Sequence, residues 1–131
     1  MLAWSWGMSN PSSGGTIGKV SIQDLSISKY IDRASPPLML ATCNGQHFDS
    51  MVFTAAKQTG LKPIDFLKIT LTDVLVTSVA SGGSSGEDRP TENVTLAFRT
   101  VHVDYTPINP DGTAGTVVSF GWDIAANQPL P

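Results

Sequence analysis

Cysteine occurs once, at Cys43, so no disulfide can form within the chain, and the fold must rest on a core. Histidine occurs twice, at His47 and His102, which with one cysteine is too few for a closed zinc site of four ligands. Basic runs are missing as well. Eight Lys and Arg, scattered singly, stand against eleven Asp and Glu, for a net charge of −3. A nucleic-acid partner needs a basic face, so none is expected. No stretch approaches the roughly 20 apolar residues that cross a bilayer, so no membrane insertion is expected. The opening Met-Leu-Ala-Trp-Ser-Trp-Gly has neither a basic leader nor an apolar core, and no signal peptide is read from it. What remains is 131 residues with 40% apolar and 15% charged side chains, the profile of one globular domain spanning 1–131.

Alternation dominates what is there. Leu2, Trp4 and Trp6 alternate with Ala3, Ser5 and Gly7, a strand whose tryptophans are expected to fill the core. The loop "MSNPSSGGTIGK" follows. The next strand, 19–29, slips parity: Val20 and Ile22 share one face, Leu25 and Ile27 the other. A bulge near Gln23–Asp24 repairs the register. "SPPLMLATCNG" reads as one short helix around 35–44, with Ser35 as cap, Pro36 in the first turn and Asn44–Gly45 closing it in left-handed geometry. Cys43 is expected as a small buried side chain on that helix. Strand patterns cover 48–57, 65–79, 93–105 and 116–124, with "NPDG" as a turn. Many strands, one helix and Gly/Pro punctuation predict a mainly β chain: an antiparallel barrel or sandwich of two packed sheets.

The chemical motifs fail one by one. In "SGGSSGEDRPTENV" a phosphate loop would need a lysine after its last glycine, but Gly86 is followed by Glu87 and Asp88, which repel phosphate. Glu87, Asp88 and Glu92 beside Arg89 read as a solvated or contact-forming turn rather than an acid–base pair, because no apolar pocket is evident to shift them. "SISK" at 26–29 lies on a strand, so Ser26 and Lys29 face opposite ways. The sequon at Asn93 lies at a strand start. No cofactor and no enzymatic activity are expected.

The segments "LAWSWGMS", "DLSISKYID" before a Pro-started helix, "SGGSSGEDRPTENV" between two apolar strands, and "VDYTPINPDGTAG" with "FGWDI" resemble the haemolysin co-regulated protein (Hcp) family of type VI secretion. The resemblance runs in the family's order from Leu2 to about Asn127. It implies a barrel with one flanking helix, like contractile-phage tail tubes, that assembles as a homohexamer. Such rings stack into a tube inside contractile sheath proteins, capped by a VgrG spike. They carry small effector proteins in the lumen, and the secretion machine exports them from the bacterial cytoplasm. Relatives begin with a further strand, and this chain starts within the second. An alternative is therefore a truncated paralogue that binds one effector or caps a tube. Under the resemblance, Ala3, Ser5 and Gly7 are the lumen or cargo-facing candidates. Met8, Ser9 and Asn10, in the family's extended loop, and Glu87, Asp88, Arg89 and Glu92, in the later loop, are the candidates for subunit or ring contacts.

Overall fold

The computed structural model describes every residue except Met1, Pro11, Gly14, Gly15, Gly18, Thr59, Leu61, Glu87 and Pro131. Its elements follow the alternation closely: β1 (Ala3–Ser5), β2 (Met8–Ser9), β3 (Ser12–Ser13), β4 (Thr16–Ile17), β5 (Ser21–Ile22), β6 (Leu25–Tyr30), α1 (Ser35–Asn44), β7 (His47–Lys57), β8 (Ile64–Gly82), β9 (Thr91–Ala97), β10 (Thr100–Tyr105), β11 (Val118–Asp123) and β12 (Gln128–Pro129). The mainly β, antiparallel architecture with one helix among the described residues is the one expected, but the single strand expected over 93–105 is two, β9 and β10, separated at Phe98–Arg99, and β12 was not expected. The parity slip falls where the strand breaks: Gln23 and Asp24 separate β5, which pairs with β2, from β6, which pairs with β1 and β9. The segment read as a plain loop after Gly7 instead holds short ribbons, β2 on β5 and β3 on β4.

Two compact units are present. The first comprises Met1–Phe48 with Val74–Phe98, the second Asp49–Asp73 with Arg99–Pro131. In the first, β1, β6, β9 and the later half of β8 lie side by side. Its core is Leu25, Val74, Val76, Val94 and Leu96, with Ala41 of the helix, each no more than 2% exposed. In the second, the earlier half of β8 pairs with β10, β10 with β11, and β11 with β12. Ile69, Leu71 and Val101 are its buried centre. β7 pairs with β8.

The helix ends as its sequence indicates but begins otherwise. Gly45 takes φ 69° and closes α1 by donating its backbone N–H to the Ala41 carbonyl at 3.0 Å. Ser35 is not the cap. The cap position is Ala34, which makes no side-chain cap bond; Asp32 Oδ1 accepts the Ala34 N–H at 2.9 Å instead, and Ser35 is the first, fully buried helical residue. Cys43 is exposed, not buried, because α1 turns only Ser35 and Ala41 inward. Trp4 is 46% exposed rather than core.

Candidate functional site

Strand parity gives each unit a two-faced sheet. Side chains of directly paired residues share a face, as do residues two apart along one strand. In the first unit, Ser5, Ser26, Thr95 and Ser78 form one cross-strand row, and Ala3, Ser28, Asn93 and Ala80 the next. That face carries small and hydroxyl side chains, with Ser28 donating to Asn93 Oδ1 at 2.6 Å. The opposite face holds Trp4, Ile27, Val94 and Val79 in one row and Leu25, Leu96 and Val76 in another. In the second unit, Lys68, Asp104 and Ser119 make a polar row, and Thr70, His102 and Gly121 another. The reverse face runs Leu71, Val101, Trp122; Ile69, Val103, Phe120; Leu67, Tyr105, Val118.

This apolar face changes from buried to bare along its length. Leu71 and Val101 are fully buried, whereas Phe120 is 38%, Tyr105 50% and Val118 64% exposed. On the polar side, Ser119 Oγ donates to Asp104 Oδ1 at 2.6 Å, and His102 Nε2 lies 2.9 Å from the same oxygen. The Ser119 hydrogen bond, aided by His102 and Lys68, holds the Asp104 carboxyl below its ordinary 3.8.

One buried polar cluster breaks the apolar face of the first unit. Lys29 continues the row parity of Leu25 and Ile27; Glu92 continues that of Val94 and Leu96, and the two are paired across β6 and β9. Lys29 Nζ lies 2.6 Å from Glu92 Oε1 and 2.8 Å from Asp32 Oδ1, and donates to the Tyr30 carbonyl at 3.1 Å. Ser35 Oγ accepts the Asp32 N–H at 2.9 Å and donates to Glu92 Oε1 at 2.7 Å. Glu92 is 1% exposed, and its Oε2 has no hydrogen-bond partner among the described residues. Burial by itself would lower the Lys29 pKa, but the hydrogen bonds and charges of Asp32 and Glu92 outweigh it and raise it above 10.5. The Lys29 hydrogen bond, with the Ala34 N–H, holds Asp32 below 3.8. Both carboxylates sit at the N-terminal end of α1, where the helix dipole favours negative charge. α1 is fully buried only at Ser35 and Ala41, and Ser35 ties its first turn to this cluster.

The sequence candidates fall into distinct places. Ala3 and Ser5 are exposed on the hydroxyl face; Gly7 is half-buried, its carbonyl accepting the Gln23 N–H at 2.9 Å. Met8, Ser9 and Asn10 are exposed, the first two on the ribbon with β5. Glu87 lies outside the described residues. Asp88 and Arg89 are exposed, and the Arg89 guanidinium stacks 3.9 Å over the Tyr30 ring. Glu92 departs from the solvated-turn reading: it is an internal ion-pair partner. The cluster of Lys29, Asp32, Ser35 and Glu92 was missed as a unit. A usable signal existed, since opposite charges at two apolar-parity positions imply a buried pair.

A family model described as type VI secretion system effector, Hcp, matches residues 1–105. The chain belongs to the Hcp family. Protein hcp1 of Pseudomonas aeruginosa strain PAO1 is 50% identical over 110 residues, 83% of this chain and 68% of that protein. A solved type six secretion system protein superposes with a TM-score of 0.89 at 30% identity, over 98% of this chain and 84% of that one. Hcp1 from Salmonella typhimurium superposes with a TM-score of 0.80 at 33% identity, over 98% of this chain and 82% of that one. The Hcp-like antiparallel fold is thus established, as is a place among proteins secreted by the type VI system. Among the described residues no helix is long and apolar enough to cross a membrane.

Proposed function

We propose that this Hcp chain acts as one structural domain, a subunit of the type VI secretion tube. In this reading six copies close a ring and rings stack into the expelled inner tube. The tube works with a VgrG spike and a contractile sheath, and small effector proteins ride in the lumen. Ala3 and Ser5 belong to the wall that meets cargo, with Gly7 at its rim. Met8, Ser9, Asn10, Asp88 and Arg89 lie at contacts between subunits or rings, while Glu92 holds its own chain together. The observation that carries the reading is the two-faced sheet of the first unit. Two of its rows, of Ser, Thr, Asn and Ala, carry no charge and no large apolar group, which suits a surface past which unrelated proteins slide, and the next row on that face adds Tyr30 beneath the Arg89 guanidinium. The 50% identity to Protein hcp1 supports the same reading.

Light scattering on a size-exclusion column, with negative-stain images of the same peak, tests it. Six-fold rings are expected. A monodisperse monomer at every concentration would overturn the tube-subunit reading.

A further inference from the structure

At one end of the hydroxyl face the run of small side chains stops. Tyr30 follows Ser28 by two residues and pairs with Thr91, which pairs with Gly82, so these three form the row next to Ser28, Asn93 and Ala80. Over that row lies the Arg89 guanidinium, 3.9 Å from the centre of the Tyr30 ring. Its place is fixed from two sides. Pro90 restricts the backbone of the residue before it, and the Ile31 N–H donates to the Pro90 carbonyl at 3.1 Å, which ties the end of the loop to the chain just after Tyr30. The stack uses the face of the guanidinium and leaves its edge idle. Among the described residues Arg89 makes no hydrogen bond and no ion pair, and the Thr91 hydroxyl makes no hydrogen bond.

An arginine held flat on an aromatic ring keeps its N–H donors in one plane, a fork that matches a carboxylate. Here the fork borders a recess of about 510 Å³, whose lining includes Tyr30, Asp88, Arg89 and Thr91. Asp88 repels a doubly charged ligand more than a singly charged one, so a carboxylate suits the recess better than a phosphate dianion. Space is open at the far end of the row, where a Cβ added to Gly82 would meet nothing within 4 Å. We propose that Arg89, stacked on Tyr30, is a carboxylate-binding subsite at the margin of the cargo wall, and that it selects cargo presenting Asp or Glu on an exposed segment. The two rows beside it are uncharged and do not discriminate by charge, so the guanidinium sets the preference. An assembly repeats the subsite in every copy, and a segment with several carboxylates gains by engaging more than one. The inference rests on the tube-subunit reading and names the cargo chemistry that its wall prefers.

Fluorescence anisotropy with a rhodamine-labelled (Gly-Glu-Ser)4 amide tests it, against the same peptide with every Glu replaced by Gln. The Glu peptide is expected to bind at least tenfold more tightly to the parent chain at low salt. Arg89→Gln is expected to abolish that preference, whereas Lys68→Gln, which removes a cation from the second unit, leaves it in place. If Arg89→Gln alters the assembled size, Arg89→Lys replaces it; that variant keeps the charge without the flat fork, and at least threefold weaker binding of the Glu peptide is expected. Equal binding of the two peptides to the parent overturns the subsite, and so does a preference that persists unchanged in the Arg89 variant. A guanidinium already taken by a carboxylate of a neighbouring copy gives the first of these results. Light scattering on the parent chain decides the tube-subunit reading separately: rings with no peptide preference leave that reading standing, and a monomer overturns it together with the cargo role of Arg89.

Discussion

Replacing Glu92 by Gln keeps the side chain's shape and removes its charge, which isolates what the buried cluster contributes. Lys29 is 11% exposed at its side chain and Glu92 not at all, so neither charge has water to fall back on. Removing one member of a buried pair costs about 3–5 kcal/mol, because the other is left uncompensated. Asp32 remains 2.8 Å from Lys29 but is half in solvent, so it compensates only in part. The loss should lie near the lower bound, about 3 kcal/mol. A domain of ordinary stability holds only about 5–15 kcal/mol in total. For a chain of this length that loss corresponds to a fall in Tm of roughly 10 °C.

The assay is urea unfolding at fixed protein concentration, because assembly makes apparent stability concentration-dependent. Lys29→Met combined with Glu92→Leu supplies the second arm. It exchanges the pair for apolar side chains and should recover most of the loss, as buried ion pairs often tolerate that exchange. Amide exchange in α1 should rise in Glu92→Gln beyond the global change, since Ser35 loses a charged acceptor. A Glu92→Gln stability within about 0.5 kcal/mol of the parent would refute the reasoning. So would a double variant weaker than the single one.

The pH dependence follows from the same cluster. Lys29 is raised in the folded chain, so its stabilisation is complete below the unfolded value of about 10.4 and lost as pH rises through the folded value. The urea midpoint of the parent should therefore fall toward that of Lys29→Met/Glu92→Leu above about pH 10.4, and parallel curves there would exclude this. Asp104 is lowered, so its contribution is present above about 3.9 and lost as pH falls through the folded value; parent and Asp104→Asn midpoints should converge in acid. At Gly121 an added Cβ would lie 2.9 Å from Leu130 Cβ and 3.1 Å from His102 Nδ1. Gly121→Ala should thus cost about 1–3 kcal/mol or release the segment at 128–130. Faster exchange of the Leu130 amide reports that release, Leu130→Ala should relieve it, and an unaltered amide with unaltered stability would contradict the clash.

How much was legible in the sequence depended on the range of the signal. Alternation is local, so β7, β8 and β11 were found within a few residues, as was the glycine closing α1. The irregularity at Gln23–Asp24 was placed correctly but is a break between two strands rather than a bulge. The split of 93–105 into β9 and β10 and the short β12 were not found. The parity that put Ala3 and Ser5 opposite the tryptophans also held. What failed needed knowledge of partners far along the chain. Ser35 has the right chemistry for a cap, but Glu92, 57 residues later, takes its hydroxyl. Cys43 lies on a helix without charged residues, and nothing local says that only Ser35 and Ala41 point inward. Trp4 was assigned to the core by its size, but 46% of it stays exposed, because burial depends on what packs against its face of β1 rather than on the residue alone. The ion pair of Lys29 with Glu92 was half visible: each charge sits in apolar parity, and only the β6–β9 register unites them.

The buried cluster and the exposed apolar side chains of β11 are different residues in different units. Lys29, Asp32, Ser35 and Glu92 lie inside the first unit, where a change is felt by α1 and the two strands beneath it. Val118 and Phe120 lie 64% and 38% exposed in the second unit, so the fold should tolerate a charge there. Fold stability and assembly should therefore separate. Glu92→Gln should lower the unfolding midpoint while leaving the assembled size unchanged wherever the chain is folded. Val118→Lys should change the size and, for the monomer, leave the midpoint within about 0.5 kcal/mol of the parent. If both variants moved both quantities in proportion, the exposed apolar side chains of β11 would be part of the folding core and the separation of stability from assembly would be refuted.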